Sequence, residues 1–369
     1  MENILMNFVE KRTSKIIAGE GLVGDIGGYL TNAYANKVPF VVTNPLIKQL
    51  HGEKLYSGLS RYGIQTEFIE VPDGEEHKSL SSASQIYDTL LKCKADRKTV
   101  LMSFGGGVIG DLTGFVAATY MRGVPLIHIP TTLLAQVDSS IGGKVAVDHP
   151  MAKNIIGSFY HPGMIFIDPA LLVSLPLEHL RNGLAEIIKI AIILSPSLLT
   201  LIEKMIALAL DKNMIALNTL IEEAVKLKVQ LVLQDPWEKD KRKYLNFGHS
   251  IAHALEVIYG YQNLSHGEAV ALGMVIETKI SCFRGMCHFD LEKKVKNLVK
   301  KLNISFRIAM KNIDNEKVWK AIAYDKKNKR GKICFVLPED IGKVNLVEDI
   351  HKEEIIHALE EFKKEWAGC

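Results

Sequence analysis

No stretch of this chain is both long and apolar enough to cross a bilayer. Its richest apolar run, around Ile190 and Leu194, falls far short of the ~20 residues that a spanning helix needs. A dominant charge is missing too: 45 Lys and Arg face 42 Asp and Glu, leaving +3 spread over 369 residues. Neither nucleic acid nor an anionic membrane is therefore an expected partner. The five cysteines, Cys93, Cys282, Cys287, Cys334 and Cys369, are odd in number, irregularly spaced and lack a C-x-x-C pair, which argues against a disulfide framework. Residues 1–19 mix Glu2, Glu10, Lys11, Arg12 and Lys15 into short apolar stretches and lack the run and cleavage site of a secretory signal. The expectation is a soluble, cytoplasmic protein. With 47% apolar and 24% charged residues, it is too hydrophobic to be disordered and large enough for two domains.

No repeat or low-complexity segment interrupts the chain, but its texture changes once. Up to residue 168, short β-branched runs at 40–43, 66–71, 99–104, 126–129 and 164–168 alternate with helical stretches such as 79–93, which Ser79 or Ser81 could cap. That alternation predicts a parallel sheet with helices on its faces. Beyond it, residues 198–210, 214–233, 248–259, 267–284 and 291–302 all carry helical spacing. The expected architecture is α/β: a Rossmann-like nucleotide-binding domain over residues 1–169 and an all-helical domain over 170–369.

The sequence Gly105-Gly106-Gly107-Val108-Ile109-Gly110 fits G-x-G-x-x-G, directly after a strand candidate and before a plausible helix. Glycines allow close approach of a pyrophosphate, and the helix start offers free amides. The acid that usually binds ribose ~20 residues on is absent, since none follows Asp111 until Asp138. Adenosine must be held elsewhere, with Asn44, Glu75 and Lys78 as candidates.

Farther along, His249 and His253 stand at i,i+4, and Arg242 and Asn246 join their face if the helix begins early enough. Histidines at this spacing are often surface residues, but Leu245, Phe247, Ile251 and Ala254 embed these. A third histidine, His266, follows a loop. Imidazoles with one carboxylate suit a divalent metal with an open position. Glu186 is the favoured carboxylate, because its neighbours are apolar and an unpaired charge there would be costly. Lys144, Lys153, Lys189, Lys228 and Arg242 form a scattered cationic set. If they converge, they would suit a small polyanion, Arg matching a carboxylate as a fork and Lys acting as a point charge.

In their order these motifs resemble the 3-dehydroquinate synthase family of sugar-phosphate cyclases. The resemblance rests on GGGVIGDLTGFVAATYMRG from Gly105, IPTTLLAQVDSSIGGK ending at Lys144, AKNIIGSFYHP from Ala152, GLAEIIK ending at Lys189, LNFGHSIAHALE from Leu245 and SHGEAVALGMV from Ser265. It implies a nucleotide-binding α/β domain and a helical domain with the active site in the cleft between them. It implies NAD as cofactor, on Asn44, Glu75, Lys78, Gly105, Gly106, Gly107, Val108, Asp111, Thr131, Thr132, Lys144 and Lys153. It also implies a divalent metal, Zn2+ or Co2+, on Glu186, His249 and His266, with His253 on the substrate side and not a ligand. The implied substrate contacts are Asp138, Lys144, Asn154, Lys189, Lys228, Arg242, Asn246 and one of Lys326 and Lys327. Arg122 would reach the neighbouring subunit's site in a homodimer.

The implied reaction turns 3-deoxy-D-arabino-heptulosonate 7-phosphate into 3-dehydroquinate and phosphate, in the shikimate route to aromatic amino acids. Hydride leaves C5 for NAD+, the acidified C6 proton and phosphate depart, hydride returns, and ring opening with aldol closure follows. Val145, Ala152, Ala252 and His179 depart from commonly seen Thr, Gly, Gly and acid. Sibling cyclases use glucose 6-phosphate or sedoheptulose 7-phosphate, which lack a carboxylate; Arg242 with Lys228 speaks against them. Glycerol dehydrogenases and a silent NAD or metal binder are the remaining alternatives. The former need fewer phosphate-binding cations, and the latter would not need so many costly polar groups.

Overall fold

The structure, a computed structural model, describes residues 13–34, 38–260, 264–304, 314–324 and 333–366. The chain divides into two units. One comprises Met1–Pro130 and Gly142–Asp168, the other Thr131–Ile141 and Pro169–Cys369. The stretch Thr131–Ile141, with Thr131, Thr132 and Asp138, thus belongs with the helical part and not with the nucleotide-binding domain. The reason is packing: Leu133 sits so close to Gly183 that a Cβ there would lie 2.4 Å from the leucine Cγ.

In the first unit, β1 (Lys15–Ala18), β2 (Val38–Thr43), β3 (Glu67–Glu70), β4 (Thr99–Gly105), β5 (Leu126–Pro130) and β8 (Met164–Ile167) pair in parallel in the order β1-β8-β5-β4-β2-β3. The inner strands β4 and β5 are buried throughout, which is why they read as largely apolar runs broken only by Thr99, Ser103 and His128. The sheet grows one way from β2 to β3 and the other way from β4 to β5. The crevice beyond the carboxyl ends of β2 and β4 is therefore the switch point where open α/β sheets bind ligands. Asn44 and the glycine turn at Gly105–Gly107 stand at those two ends.

An antiparallel ribbon, β6 (Lys144–His149) with β7 (Ala152–Phe159), was not anticipated, and neither was β1. The ribbon lies on α4 (Gly107–Thr119), where a Cβ at Gly114 would come within 2.3 Å of Val145. Val145 is thus a packing residue, 3% exposed.

The second unit is helix-rich. α5 (Leu177–Leu194), α6 (Pro196–Leu210), α7 (Met214–Gln234), α8 (His249–Ile258), α9 (His266–Phe283) and α10 (Phe289–Lys301) are joined by α11 (Asn315–Tyr324) and α12 (Lys352–Trp366). Among the described residues, α5, α11 and α12 add to the helices expected, and a hairpin of β9 (Phe335–Asp340) and β10 (Lys343–Val347) shows that the unit is not all-helical. All but three of the residues of α9 are buried, so it is the axis around which the others pack. Among the described residues no helix is long and apolar enough to cross a membrane. Cys93, Cys282, Cys287 and Cys334 are free thiols.

Within the sheet, His128 is 3% exposed and shares a 2.6 Å hydrogen bond between its Nδ1 and the Ser103 hydroxyl on the adjoining strand. Burial pushes its pKa down to about 4, so the folded state keeps it neutral while the unfolded chain takes up a proton below about pH 6.5. Its contribution is therefore complete above pH 6.5 and lost as pH falls toward 4, by about 3 kcal/mol at most. Urea unfolding between pH 7 and pH 4.5 should show this slope in the parent protein and lose it in His128→Gln.

Candidate active site

Glu186 lies in the part of α5 that is buried on every side, and no atom of it is exposed. His249 opens α8 directly after Gly248, whose φ of +80° ends the preceding turn. His266 opens α9, where Ser265 and Glu268 form a capping box and the Ser265 amide donates to Glu268 at 2.9 Å. One donor atom from each of Glu186, His249 and His266 lies within 4.8 Å of the others. Nε2 of His249 is 3.7 Å, and Nε2 of His266 3.5 Å, from Glu186 Oε1. Ligands of a tetrahedral zinc ion stand about 3.4 Å apart, from bonds of about 2.1 Å.

The outer ring nitrogens are engaged. Nδ1 of His249 donates to the Phe247 carbonyl at 3.1 Å, and Nδ1 of His266 to Glu256 at 2.9 Å. Each ring thereby turns Nε2 inward, as metal-ligating histidines do. Glu186 Oε1 is buried and accepts no hydrogen bond, while Lys189 ion-pairs with Oε2. A buried carboxylate oxygen of this kind facing two imidazoles fits a divalent cation of borderline softness. Burial would lower the pKa of His266, but the nearby Glu186 carboxylate and the hydrogen bond to Glu256, with its charge, raise it to about 10. The pocket favours positive charge. His253, spaced as a partner for His249, stacks edge-on against it at 5.5 Å between ring centres and stays outside the triad. The partner that spacing alone did not supply is His266.

Beside the triad is a group of buried cations. Lys228, 4% exposed in the middle of α7, is ion-paired with Asp138, which sits on a π-helical turn at Ala135–Ser139, and also donates to the Asp138 carbonyl. Burial lowers the pKa of Lys228, Asp138 partly restores it, and the charges of Lys189 and Arg242 lower it again, to about 8. Burial opposes ionisation of Asp138, yet Lys228 and Lys189 hold its carboxyl far below the usual range. Lys189, Lys228 and Arg242 therefore sense one another as a single cluster.

Arg242 and Asn246 are not on the histidine helix, contrary to the spacing argument. They occupy a separate 3-10 turn, Lys241–Asn246, because Gly248 breaks the chain before α8. Arg242 is 2% exposed and donates from Nη1 to the Pro236 carbonyl at 2.7 Å. Its loop is folded around Asp235, whose carboxylate accepts from the amides of Lys239 at 2.9 Å, Asp240 at 2.7 Å and Arg242 at 3.1 Å. Asn246 donates to Glu238 at 3.2 Å.

In the first unit, α4 begins at Gly107 with no side chain capping its amides, which are the donors a pyrophosphate requires. Gly105 cannot carry a Cβ, which would fall 2.7 Å from Ile109. Asn44 accepts from the Ile47 amide and donates to Asp73 at 2.9 Å. Lys78, 4% exposed, donates to both Asp111 and Asn154 at 2.5 Å, and Lys153 pairs with Glu75 at 3.1 Å. Lys144 opens β6 with its side chain exposed, and Arg122 is exposed in a left-handed conformation, φ +66°. Thr131 is buried, and Thr132 accepts from the Ala135 amide at 3.2 Å. His179 is exposed on α5 and Ala252 wholly buried. Lys326 and Lys327 lie outside the described residues.

Sequence reasoning missed three acids that hold this site: Asp235, Glu256 and Glu277. The available signal for the last two was an acid inside an otherwise apolar helical stretch, in HALEVI and GMVIETK.

The fold is that of the sugar-phosphate cyclases, shared by dehydrogenases of the same architecture. Over 98% of this chain and 100% of its own, the structure of 2-epi-5-epi-valiolone synthase from Streptomyces hygroscopicus subsp. jinggangensis, with NAD+ and Zn2+ bound, matches at a TM-score of 0.90 and 25% identity. Glycerol dehydrogenase from Schizosaccharomyces pombe shares the fold at 0.68 and 17%, covering 98% of this chain and 93% of its own. Residues 68–182 match the 3-dehydroquinate synthase N-terminal family and residues 183–328 its C-terminal counterpart. The 3-dehydroquinate synthase of Crocosphaera subtropica is 40% identical over 98% of this chain and all of its own length, and that of Dehalococcoides mccartyi strain CBDB1 is also 40% identical, with the same coverage. The chain belongs to the 3-dehydroquinate synthase family.

The geometry depends on a close crossing, since a Cβ at Gly273 of α9 would lie 1.9 Å from the Gly248 carbonyl before α8. Gly273→Ala should lower stability by about 3 kcal/mol and weaken metal binding. Urea unfolding and metal titration would read the two losses.

Proposed function

We propose that this chain converts 3-deoxy-D-arabino-heptulosonate 7-phosphate to 3-dehydroquinate and phosphate, in the cytoplasm, as part of aromatic amino acid biosynthesis. The observation that carries the reading is the buried cluster of Lys189, Lys228 and Arg242 around Asp138, next to a three-donor metal site, in a chain about 40% identical to 3-dehydroquinate synthases along nearly its whole length. When bound, nicotinamide would take and return one hydride and a divalent ion would act as a Lewis acid toward substrate hydroxyls. In the first unit, the amides that follow Gly106, with Asn44, Glu75 and Lys78, would hold the nucleotide. Glu186, His249 and His266 would hold the ion.

The remaining roles fall to groups that bind and orient. Arg242, fixed by its Pro236 contact and by the Asp235 loop, offers a planar fork to the substrate carboxylate. Lys228 and Asn246 orient that end and the adjoining hydroxyls. Lys189 keeps a positive charge beside the reacting carbon, and His253 moves a proton on the phosphate side. Asn154 and Lys144, with Lys326 or Lys327, bind phosphate, and the departing phosphate's own oxygens take the C6 proton. Fixing both ends of one molecule also favours the final intramolecular aldol step. Arg122, exposed and held with positive φ, completes the site of a second copy in a homodimer.

Phosphate release with NAD+ and Zn2+ added should occur from the heptulosonate phosphate and stop with chelator, while glucose 6-phosphate and sedoheptulose 7-phosphate stay inert. Turnover of either neutral-ended sugar phosphate would overturn the assignment. Arg242→Met should cut kcat/KM by about a thousandfold, the scale of a buried charge pair broken on one side.

Lys228 must be protonated to attract an anion. With its pKa near 8, kcat/KM should fall by up to about tenfold per unit as pH rises above 8. Lys228→Arg, whose guanidinium stays charged, should lose that alkaline limb, which a pH profile would reveal.

A further inference from the structure

Helices α8 and α9 each begin with a histidine of the triad, and each carries farther along a buried carboxylate on which the other depends. Glu256, on α8 and 8% exposed, accepts from Nδ1 of His266 at 2.9 Å. Glu277, on α9 and wholly buried, accepts from the Gly248 amide at 2.7 Å and the Ile251 amide at 3.3 Å. These are the cap and third amides of α8, flanking His249. Gly248 has no side chain with which to cap its own helix, so the first turn of α8 takes its acceptor from α9. The near contact of Gly273 with the Gly248 carbonyl leaves little slack at the crossing.

Burying two carboxylates is unfavourable, and well-packed apolar side chains would serve stability as well or better. What apolar residues cannot do is fix the tilt of one imidazole and the start of the helix that presents the other. We propose that Glu256 and Glu277 are positioning residues forming a reciprocal brace, each reaching from its own helix to hold the opposite histidine so that both Nε2 atoms face Glu186. The proposal rests on reading Glu186, His249 and His266 as a metal site. It adds that the spacing of the two histidine donors is set by carboxylates that touch neither ion nor substrate.

Titration of the metal-free full chain with Co2+ against a competing chelator, following visible absorption, tests it. Glu256→Ala should bind Co2+ about 10- to 100-fold more weakly, with an altered spectrum. Glu256→Gln keeps an acceptor for His266 and should restore most of the affinity. Glu277→Gln can accept only one of its two amides and should lose about tenfold. The Glu256→Ala, Glu277→Gln double variant should lose less than the product of the single losses, because both act on one spacing. Affinity and spectrum unchanged in Glu256→Ala, even with a lowered melting temperature, would overturn the brace, and fully additive losses would overturn its reciprocity. If Glu277→Gln does not fold, the Glu256 pair decides alone. Absence of Co2+ binding in the parent, or undiminished binding in Glu186→Gln, would instead sink the metal reading itself.

Discussion

The second unit is organised around one costly fact, the complete burial of the Glu186 carboxylate. An ionised carboxylate removed from water must be met by positive charge or it will not stay ionised. Lys189, one turn along the same helix, meets one oxygen. The other faces His249 and His266. Satisfying that oxygen requires three helices to come close, and this explains the small residues where they cross. Gly267 allows α9 to approach Asn182 on α5, where a Cβ would come within 2.3 Å, and Gly273 allows it to approach the start of α8.

The same constraint separates what could be read from the residues alone from what could not. The central strands were legible because burial on both faces leaves short, mostly apolar runs, as in Val100–Leu101–Met102 and in Leu126 and Ile127. β1 is four residues long beside charged residues, and β6 and β7 pair with each other outside the main sheet, so none of these carries that signature. Glu186 was legible as a lone acid in an apolar helix. The pairing of His249 with His266 was not legible from spacing, because the two are neighbours only through the α8–α9 crossing. Family motifs supplied what periodicity could not. The broken helix before His249 escaped for a local reason: nothing in the order of residues announces that Gly248 will take φ +80° and turn Arg242 and Asn246 onto a separate turn.

Three cations gathered in a buried volume repel one another, and for Lys228 that repulsion adds to the larger effect of burial in lowering its pKa to about 8. Asp138 relieves part of it, while Glu238 and Asp235 act on Arg242 and Lys189 answers Glu186. Repulsion among the three cations eases when an anion binds, so affinity for a polyanion follows from the same burial that lowers the pKa of Lys228. The metal triad works in the opposite sense, with carboxylates that lift His266 toward protonation and so favour a cation. Two adjoining regions of one unit thus want opposite charges. A substrate with hydroxyls to offer a cation and acidic groups to offer the lysines and the arginine answers both at once. A neutral polyol answers only the first.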